Sequence, residues 1–252
     1  MNVSLYQAAS ALNANQRWQE VISQNMAASS IPGFKKQELS FSAVEAGMIP
    51  KSSAAGSVGG AQHWTLPEAK ASTSFAAGPL KYTGLKTDVA VEGTGFFEVQ
   101  LPNGSKAYTR DGEFSQNAQG QLITKQGYLV LGEGGPIQLD RNNPGPLVIG
   151  TDGQVSQGQE VKGTLRVVEF GKPELLTSIP GGYFLASDPN LTENSDPTSV
   201  VRQGYVEGAN TNAVAEMANL ITVMRSSEAN QRIVQMEDER MGKAISELGS
   251  PN

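Results

Sequence analysis

The sequence predicts an α+β protein, with a helix at each end of the chain and a central antiparallel β domain. Residues 3–28 and the segment after Asn212 carry apolar residues at helical spacing, whereas the stretch from Asp88 to about Val206 consists of short β-type runs between turn formers. The 252 residues are enough for one large domain or two modest ones. We expect a terminal helical assembly domain (1–34 and 208–252), an extended connector (35–84) and a central β domain (85–207).

The N-terminal helix is predicted to be weakly amphipathic. Asn15 and Gln19 interrupt its first apolar stripe, whose members are Leu5, Ala8, Leu12, Ile22 and Met26. A second, equally mixed stripe contains Ala11, Ala14, Trp18, Val21 and Asn25. A helix with two thin apolar stripes is expected to pack on more than one neighbour, although a single amphipathic helix that covers the domain body also fits the pattern. The helix should end before Pro32-Gly33, because proline removes a backbone donor and glycine permits a positive φ.

The C-terminal helix shows a coiled-coil-like seam with a polar centre. Asn212 is a candidate cap for its start, and Gly249 with Pro251 marks its end. Seven of the ten seam positions are apolar, and the seam comprises Met217, Leu220, Met224, Ser227, Gln231, Val234, Asp238, Met241, Ile245 and Leu248. This spacing predicts either a helix–helix assembly seam or the ordinary core face of a domain.

The chain between the helices falls into two zones. Residues 43–82 are rich in Ala, Gly and Ser with poor periodicity, which predicts an extended or flexible connector with occasional apolar anchors such as Trp64 and Phe75. The β zone has its turns at the dipeptides Asn103-Gly104, Asp111-Gly112, Gln119-Gly120 and Asp152-Gly153. Short strands at such intervals predict a β domain of the sandwich or barrel type.

The composition argues against a nucleic-acid partner and against most kinds of active site. The net charge of −6 disfavours a nucleic-acid partner, and the absence of cysteine excludes disulfides and thiolate metal sites. The single histidine, His63, lies in the connector and is read as a solvated residue rather than a catalytic base. We therefore predict no enzyme activity, catalytic residue, cofactor or metal site. No apolar run reaches the length of a membrane span, and the N-terminal segment lacks the features of a cleavable signal peptide.

Three stretches resemble the motifs of a known family, in the same order along nearly the whole chain. The first is Asn25, an alanine-containing run and then Pro32-Gly33-Phe34-Lys35, and the second is the central "DVAVEGTGFFEVQLPNGSKAYTRDGEFSQNAQGQLITKQGYLVLGEGGPI". The third is "QGYVEGANTNAVAEMANLITVMRSSEANQRIVQMEDE". On these motifs the chain resembles bacterial flagellar basal-body rod proteins, within the rod and hook family of axial proteins. It departs from them at Ala28, Ile31 and Ser227, where relatives often carry Asn, Thr and an aromatic residue.

The resemblance implies a structural subunit without turnover. In that family the two terminal helices pair into a coiled-coil-like inner tube, and the β domain lies outside it. The implied partners are other copies of the chain, other rod proteins, hook-side axial proteins, the flagellar type III export apparatus, and the periplasmic and outer-membrane rings, with no direct membrane insertion. The implied location is the basal body in the periplasmic space. The length, "GEGGPI" and the Asp238-Glu239 ending are most like the proximal-rod subunit, with the distal-rod protein as the alternative and a secreted adhesive or carbohydrate-binding β protein as a weaker one.

The resemblance also implies an assembly interface. The residues expected in it are Leu5, Leu12, Trp18, Ile22, Asn25, Met26, Pro32, Gly33, Phe34, Lys35, Met217, Leu220, Met224, Val234, Met241, Ile245 and Leu248. Lys35 and Lys36 are either solvated or paired with acidic groups of an adjacent helix, for which the run Glu237–Glu239 is a candidate.

Overall fold

The computed structural model describes residues 3–49, 62–194 and 198–248. Within these ranges the chain has two α-helices, α1 (Val3–Ala27) and α2 (Ala213–Leu248), and one short 3-10 turn, Pro173–Leu175. Everything else that is regular is β structure. The predicted α+β class is therefore wrong: the protein is mostly β, with one helix at each end. One reason is that the presumed connector, which lacks a clear period, contributes two of the longest strands, with 13 and 12 residues.

The described residues form nineteen strands, numbered here in chain order. They are β1 Gln37–Ile49, β2 Gln62–Thr73, β3 Leu80–Tyr82, β4 Val89–Glu92, β5 Phe96–Gln100, β6 Lys106–Thr109, β7 Ser115–Gln116, β8 Leu122–Ile123, β9 Leu129–Gly132, β10 Gly135–Pro136, β11 Leu147–Ile149, β12 Gln154–Gln157, β13 Glu160–Thr164, β14 Val167–Phe170, β15 Thr177–Ile179, β16 Tyr183–Leu185, β17 Glu193–Asn194, β18 Val200–Gln203 and β19 Tyr205–Glu207.

The chain divides into two compact units. The first, called the helical unit below, contains α1, α2 and the paired strands β1 and β2. The second, called the β unit, consists of Ala27–Lys36 and Thr73–Asn212. The chain therefore passes from one unit to the other four times, next to Ala27, Lys36, Thr73 and Asn212.

The β unit is organised around one ten-stranded sheet. Its main path runs β15-β16-β6-β5-β9-β8-β7, with β10 beside β9 and β14 joining β5 to β17. A three-stranded sheet (β11-β12-β13) and two strand pairs (β18-β4 and β19-β3) complete the unit. The pairings in these sheets are antiparallel, as the turn-rich sequence predicts.

Strand β5 is buried on both faces, and its successive side chains alternate between these faces. Phe97 and Val99 point into the main core, and Phe96 belongs to a separate aromatic cluster on the other face with Tyr108 and Phe184. Glu98 shares the Phe96 face, where its carboxylate is 2.9 Å from Lys106 and 2.8 Å from Arg166. The sequence "GFFEVQL" is thus the centre of the β unit.

The glycines of the predicted turns have two different structural roles. Gly104, Gly120 and Gly153 have positive φ values of 83°, 85° and 82°, as the turns at those dipeptides require. Gly112 does not; a Cβ there would lie 1.7 Å from the carbonyl oxygen of Val89, so this glycine permits a close approach of two backbone segments. In the part of the chain that the structure describes, no helix is long and apolar enough to cross a membrane.

Candidate functional site

The buried side of α2 is a regular heptad stripe. Its positions are spaced alternately by three and four residues and are all buried or half-buried: Ala213, Glu216, Leu220, Val223, Ser227, Asn230, Val234 and Glu237. Val223 has no exposed surface. The two helices pair, and the Asn15 amide of α1 donates a hydrogen bond to Ser226 Oγ of α2 at 3.1 Å. This stripe is called the inner stripe.

A second apolar stripe on α2 faces solvent. Val214, Met217, Ile221 and Met224 are 75%, 52%, 55% and 50% exposed, and each follows an inner-stripe residue by one position. One residue is about 100° around a helix, so this outer stripe lies beside the inner one. Farther along α2, four more large apolar side chains are exposed: Ile233, Met236, Met241 and Ile245.

The predicted seam of α2 mixes these two stripes. Leu220 and Val234 lie on the inner stripe, whereas Met217 and Met224 lie on the outer one. The mixture arises because two adjacent apolar stripes both satisfy a spacing of three and four residues. Leu5 and Leu248 lie within the helices, but their side chains are outside the described residues, as are Gly249 and Pro251.

The interface candidates on α1 already have contacts inside the helical unit. The Trp18 ring, which is half-buried, lies 5.6 Å from that of Phe41 on β1. Ile22 is buried, and Leu12 and Met26 are half-buried. The buried amide of Asn25 accepts from the Gln37 N–H at 2.9 Å and donates to the Gln37 carbonyl at 2.8 Å. Asn25 therefore ties the end of α1 to the start of β1.

The turn after α1 is fitted closely into the β unit. Gly33 has a φ of +68°, and a Cβ there would lie 2.3 Å from the Arg110 carbonyl carbon and 2.3 Å from the Asp111 nitrogen. The Gly33 N–H donates to the Glu207 carbonyl at 2.7 Å. Half-buried Pro32 precedes it, and the carbonyl of half-buried Phe34 accepts from the Asn210 N–H at 3.2 Å. Only glycine suits both the backbone conformation and the space at this position.

Two cations share one buried carboxylate behind this turn. Lys35 Nζ lies 2.6 Å from Glu207 Oε1, and Arg110 Nη1 lies 3.2 Å from Glu207 Oε2. The side chains of Lys35, Glu207 and Arg110 are only 1%, 2% and 3% exposed. Burial lowers the pKa of the Lys35 ammonium and of the Arg110 guanidinium, and the Glu207 carboxylate opposes both shifts.

Backbone groups supply further hydrogen bonds around this ion network, although the buried Arg110 Nε has no hydrogen-bond partner among the described residues. Lys35 Nζ also donates to the Ala76 carbonyl at 2.8 Å, and Glu207 Oε1 accepts from the Gly78 N–H at 2.7 Å. Arg110 donates to the carbonyls of Val91 and Gly93 at 3.2 and 2.7 Å, and its guanidinium carbon lies 4.9 Å from the centre of the Phe96 ring. A buried charge needs this degree of compensation.

Asn210 adds a neutral hydrogen-bond bridge to the same region. Its Oδ1 accepts from the Lys36 N–H at 2.6 Å, and its Nδ2 donates to the carbonyls of Ser74 and Ala76 at 2.8 and 3.0 Å. The set formed by Gly33, Lys35, Arg110, Glu207 and Asn210 is called the clasp below. It lies entirely within the β unit and joins segments that are up to 174 residues apart in sequence.

Sequence reasoning missed the partner of Lys35. The expected surroundings of Lys35 were solvent or the run Glu237–Glu239, whereas its ammonium is buried against Glu207 of the same chain. The available signal was that each of the three stretches that resemble family motifs supplies part of the clasp: Lys35 comes from the first, Arg110 from the second and Glu207 from the third. Among the described residues no cluster of three or more His, Cys, Asp or Glu side chains has the arrangement of a metal site.

Comparisons with known proteins match the same regions. Residues 90–157 match the family model described as "Flagellar hook protein FlgE/F/G D1 domain", and residues 202–247 match the one described as "Flagellar basal body rod FlgEFG protein C-terminal". Arg110 falls in the first match and Glu207 in the second.

Full-length relatives agree with these matches. The chain is 34% identical to the flagellar basal-body rod protein FlgF of Mesorhizobium japonicum, over 99% of each chain. It is 32% identical to FlgG of Buchnera aphidicola subsp. Schizaphis graminum, over 95% of this chain and 97% of that one. It is 31% identical to FlgF of Escherichia coli, over 97% of each.

Proposed function

This chain belongs to the flagellar basal-body rod protein family, and we propose that it is a subunit of the proximal rod that assembles with its own copies and other rod proteins into a helical tube transmitting torque from motor to hook. The family consists of structural proteins rather than enzymes. The length, "GEGGPI" and the Asp238-Glu239 ending favour the proximal rod. The distal rod is the alternative, since relatives named FlgF and FlgG both match nearly the whole chain.

The outer stripe of α2 is the observation that carries this proposal. Four large apolar side chains at helical spacing, each at least half exposed, are unusual for a helix whose inner face is already covered. Burying the remaining surface of each would contribute about 1 kcal/mol, at roughly half of the value for a whole side chain. Several such contacts per subunit, each weak alone, suit a tube in which every subunit has several neighbours.

The predicted interface divides by exposure. Met217, Met224, Met241 and Ile245 are exposed on α2, and we assign them to contacts between subunits. Ile22, Asn25, Gly33 and Lys35 are buried within the chain, so we assign them the role of holding the subunit's own structure. The remaining candidates are half-buried or have undescribed side chains, and they stay predictions.

The proposed surroundings follow from the family. The basal body is the shared location of the relatives. The periplasmic space, export through the type III apparatus, and contacts with the rings and with hook-side axial proteins belong to the proposal.

Electron microscopy of basal bodies tests the proposal. A strain without this gene should keep rings but have a truncated rod and no hook, and the truncation length would place the subunit. A normal rod, hook and filament would contradict the proposal. Complementation with Ile221→Ser/Met224→Ser should fail to restore rods, whereas the control Val161→Ser, at a 59% exposed side chain of the β unit, should restore them.

A further inference from the structure

The clasp sits where the chain leaves the β unit. The four passages between units occur next to Ala27, Lys36, Thr73 and Asn212. The β-unit segments beside these passages are therefore 27–36, the chain from 73 onward, and the chain up to 212. Each of them supplies either a clasp residue or a backbone group that bonds to one.

The bonds of the clasp run between these segments rather than within them. Lys35 of the first segment binds both the Ala76 carbonyl of the second and the Glu207 carboxylate of the third. Glu207 in turn accepts from the Gly78 N–H of the second segment, and its carbonyl accepts from the Gly33 N–H of the first.

We propose that the clasp is a positioning device that holds the three β-unit segments beside these passages in one fixed arrangement, with Glu207 as its central positioning residue. This inference rests on the proposed function, because a subunit that carries torque needs these segments of the β unit to keep one arrangement under load. Charge-assisted bonds are suited to this task, since they are directional and have fixed partners, whereas apolar contacts tolerate sliding. A buried ion network is weak evidence for stability, which leaves geometry as the role that its placement favours.

The β unit contains a matched control for Glu207. Glu98 is another buried carboxylate between two cations, with Lys106 at 2.9 Å and Arg166 at 2.8 Å, and its side chain is 1% exposed. It lies on β5 in the ten-stranded sheet and not beside one of these passages. The cations of Glu98 are more exposed than those of Glu207, so thermal stability is measured for both variants and they are compared at a temperature where each is folded.

Hydrogen exchange on the full chain tests the device. In Glu207→Gln, the amides of Gly33, Gly78 and Asn210 should exchange at least tenfold faster and by the same factor, whereas in Glu98→Gln they should keep their wild-type rates. Faster exchange at Gly78 alone, the amide that bonds the Glu207 side chain directly, would overturn the inference, because the clasp would then not act as one unit. If Glu207→Gln does not fold, Glu207→Asp keeps the charge but draws the carboxylate away from Lys35, and the same result is expected.

Swimming provides the second readout. In a strain lacking the gene, Glu207→Gln should restore less than half of the wild-type swimming radius, whereas Glu98→Gln should restore nearly all of it. Equal swimming of the two variants would overturn the clasp inference alone. Failure of the wild-type gene to restore swimming would instead contradict the proposed function, and the exchange result would still judge the clasp.

Discussion

Replacing Gly33 by alanine should destabilise the β unit far more than the same change at Gly104. Both glycines have a positive φ, at +68° and +83°. They differ in surroundings, because a Cβ at Gly33 would lie 2.3 Å from the backbone of Arg110 and Asp111, whereas at Gly104 nothing lies within 4 Å. Gly104→Ala therefore measures backbone strain alone, and Gly33→Ala adds a clash that only a displacement of the turn relieves.

The expected magnitudes follow from these differences. Strain from a left-handed alanine costs about 1 kcal/mol. Displacing the turn weakens the Gly33–Glu207 hydrogen bond, by about 1 kcal/mol, and misaligns the buried Lys35–Glu207 pair, by about 1–2 kcal/mol more. At roughly 3 °C per kcal/mol for a unit of this size, Tm should fall by about 3 °C for Gly104→Ala and by about 10 °C for Gly33→Ala.

Thermal unfolding followed by near-UV circular dichroism suits this comparison, since it reports the buried aromatic clusters of the β unit. A Tm shift for Gly33→Ala that is no larger than the shift for Gly104→Ala would refute the reasoning. It would mean that the turn yields to the extra methyl group without disturbing the clasp.

Three further changes test other parts of the structure. Burial raises the pKa of Asp111 to about 6, so the folded state binds this proton more tightly than the unfolded state. The free energy of unfolding should therefore fall by up to about 3 kcal/mol as the pH rises from about 4 to 6. Urea titrations of Asp111→Asn should show a flatter dependence on pH. Asn25→Ala should remove both bonds to Gln37 and lower the urea midpoint of the helical unit by the equivalent of about 1–3 kcal/mol, and an unchanged midpoint would contradict the tie between α1 and β1. Phe97→Ala should cost about 3–5 kcal/mol in the same assay, because the ring is fully buried in the main core, and a loss under 1 kcal/mol would contradict that placement.

Sequence patterns predicted those helices and strands whose start, stop and periodicity signals lie within a few residues of one another. The helix α1 ends at Ala27, one residue before the predicted bound, and α2 begins at Ala213, directly after the predicted cap. The β character of the stretch from Asp88 to about Val206 was predicted for the same reason, since alternation and turn dipeptides repeat within each hairpin, whereas strand β3 lies in the predicted connector. Strands β1 and β2 were not predicted, because Ala-, Gly- and Ser-rich segments carry little periodicity. Their strand structure depends on pairing with each other.

Features decided by distant partners were beyond local reasoning. The inner and outer stripes of α2 differ by a single residue in register, so periodicity alone does not say which stripe α1 covers. The environment of Lys35 depends on Glu207, which lies 172 residues away. A lysine after a turn is usually exposed, and nothing near it in sequence indicates burial.

The two features assigned to function use different physical interactions, and the difference matches their tasks. The outer stripe offers apolar area, whose attraction is non-directional and adds up over many neighbours, so it suits contacts that must form repeatedly between copies. The clasp uses a fully buried carboxylate with two cations and several backbone partners, which makes a misplaced arrangement costly rather than a correct one especially favourable. On the proposed assignment, the exposed helix face would supply association energy, and the buried charges would keep the clasp segments of the β unit in one geometry. Substitutions on the outer stripe should therefore reduce rod assembly with little change in the unfolding of the isolated chain, whereas substitutions in the clasp should change both.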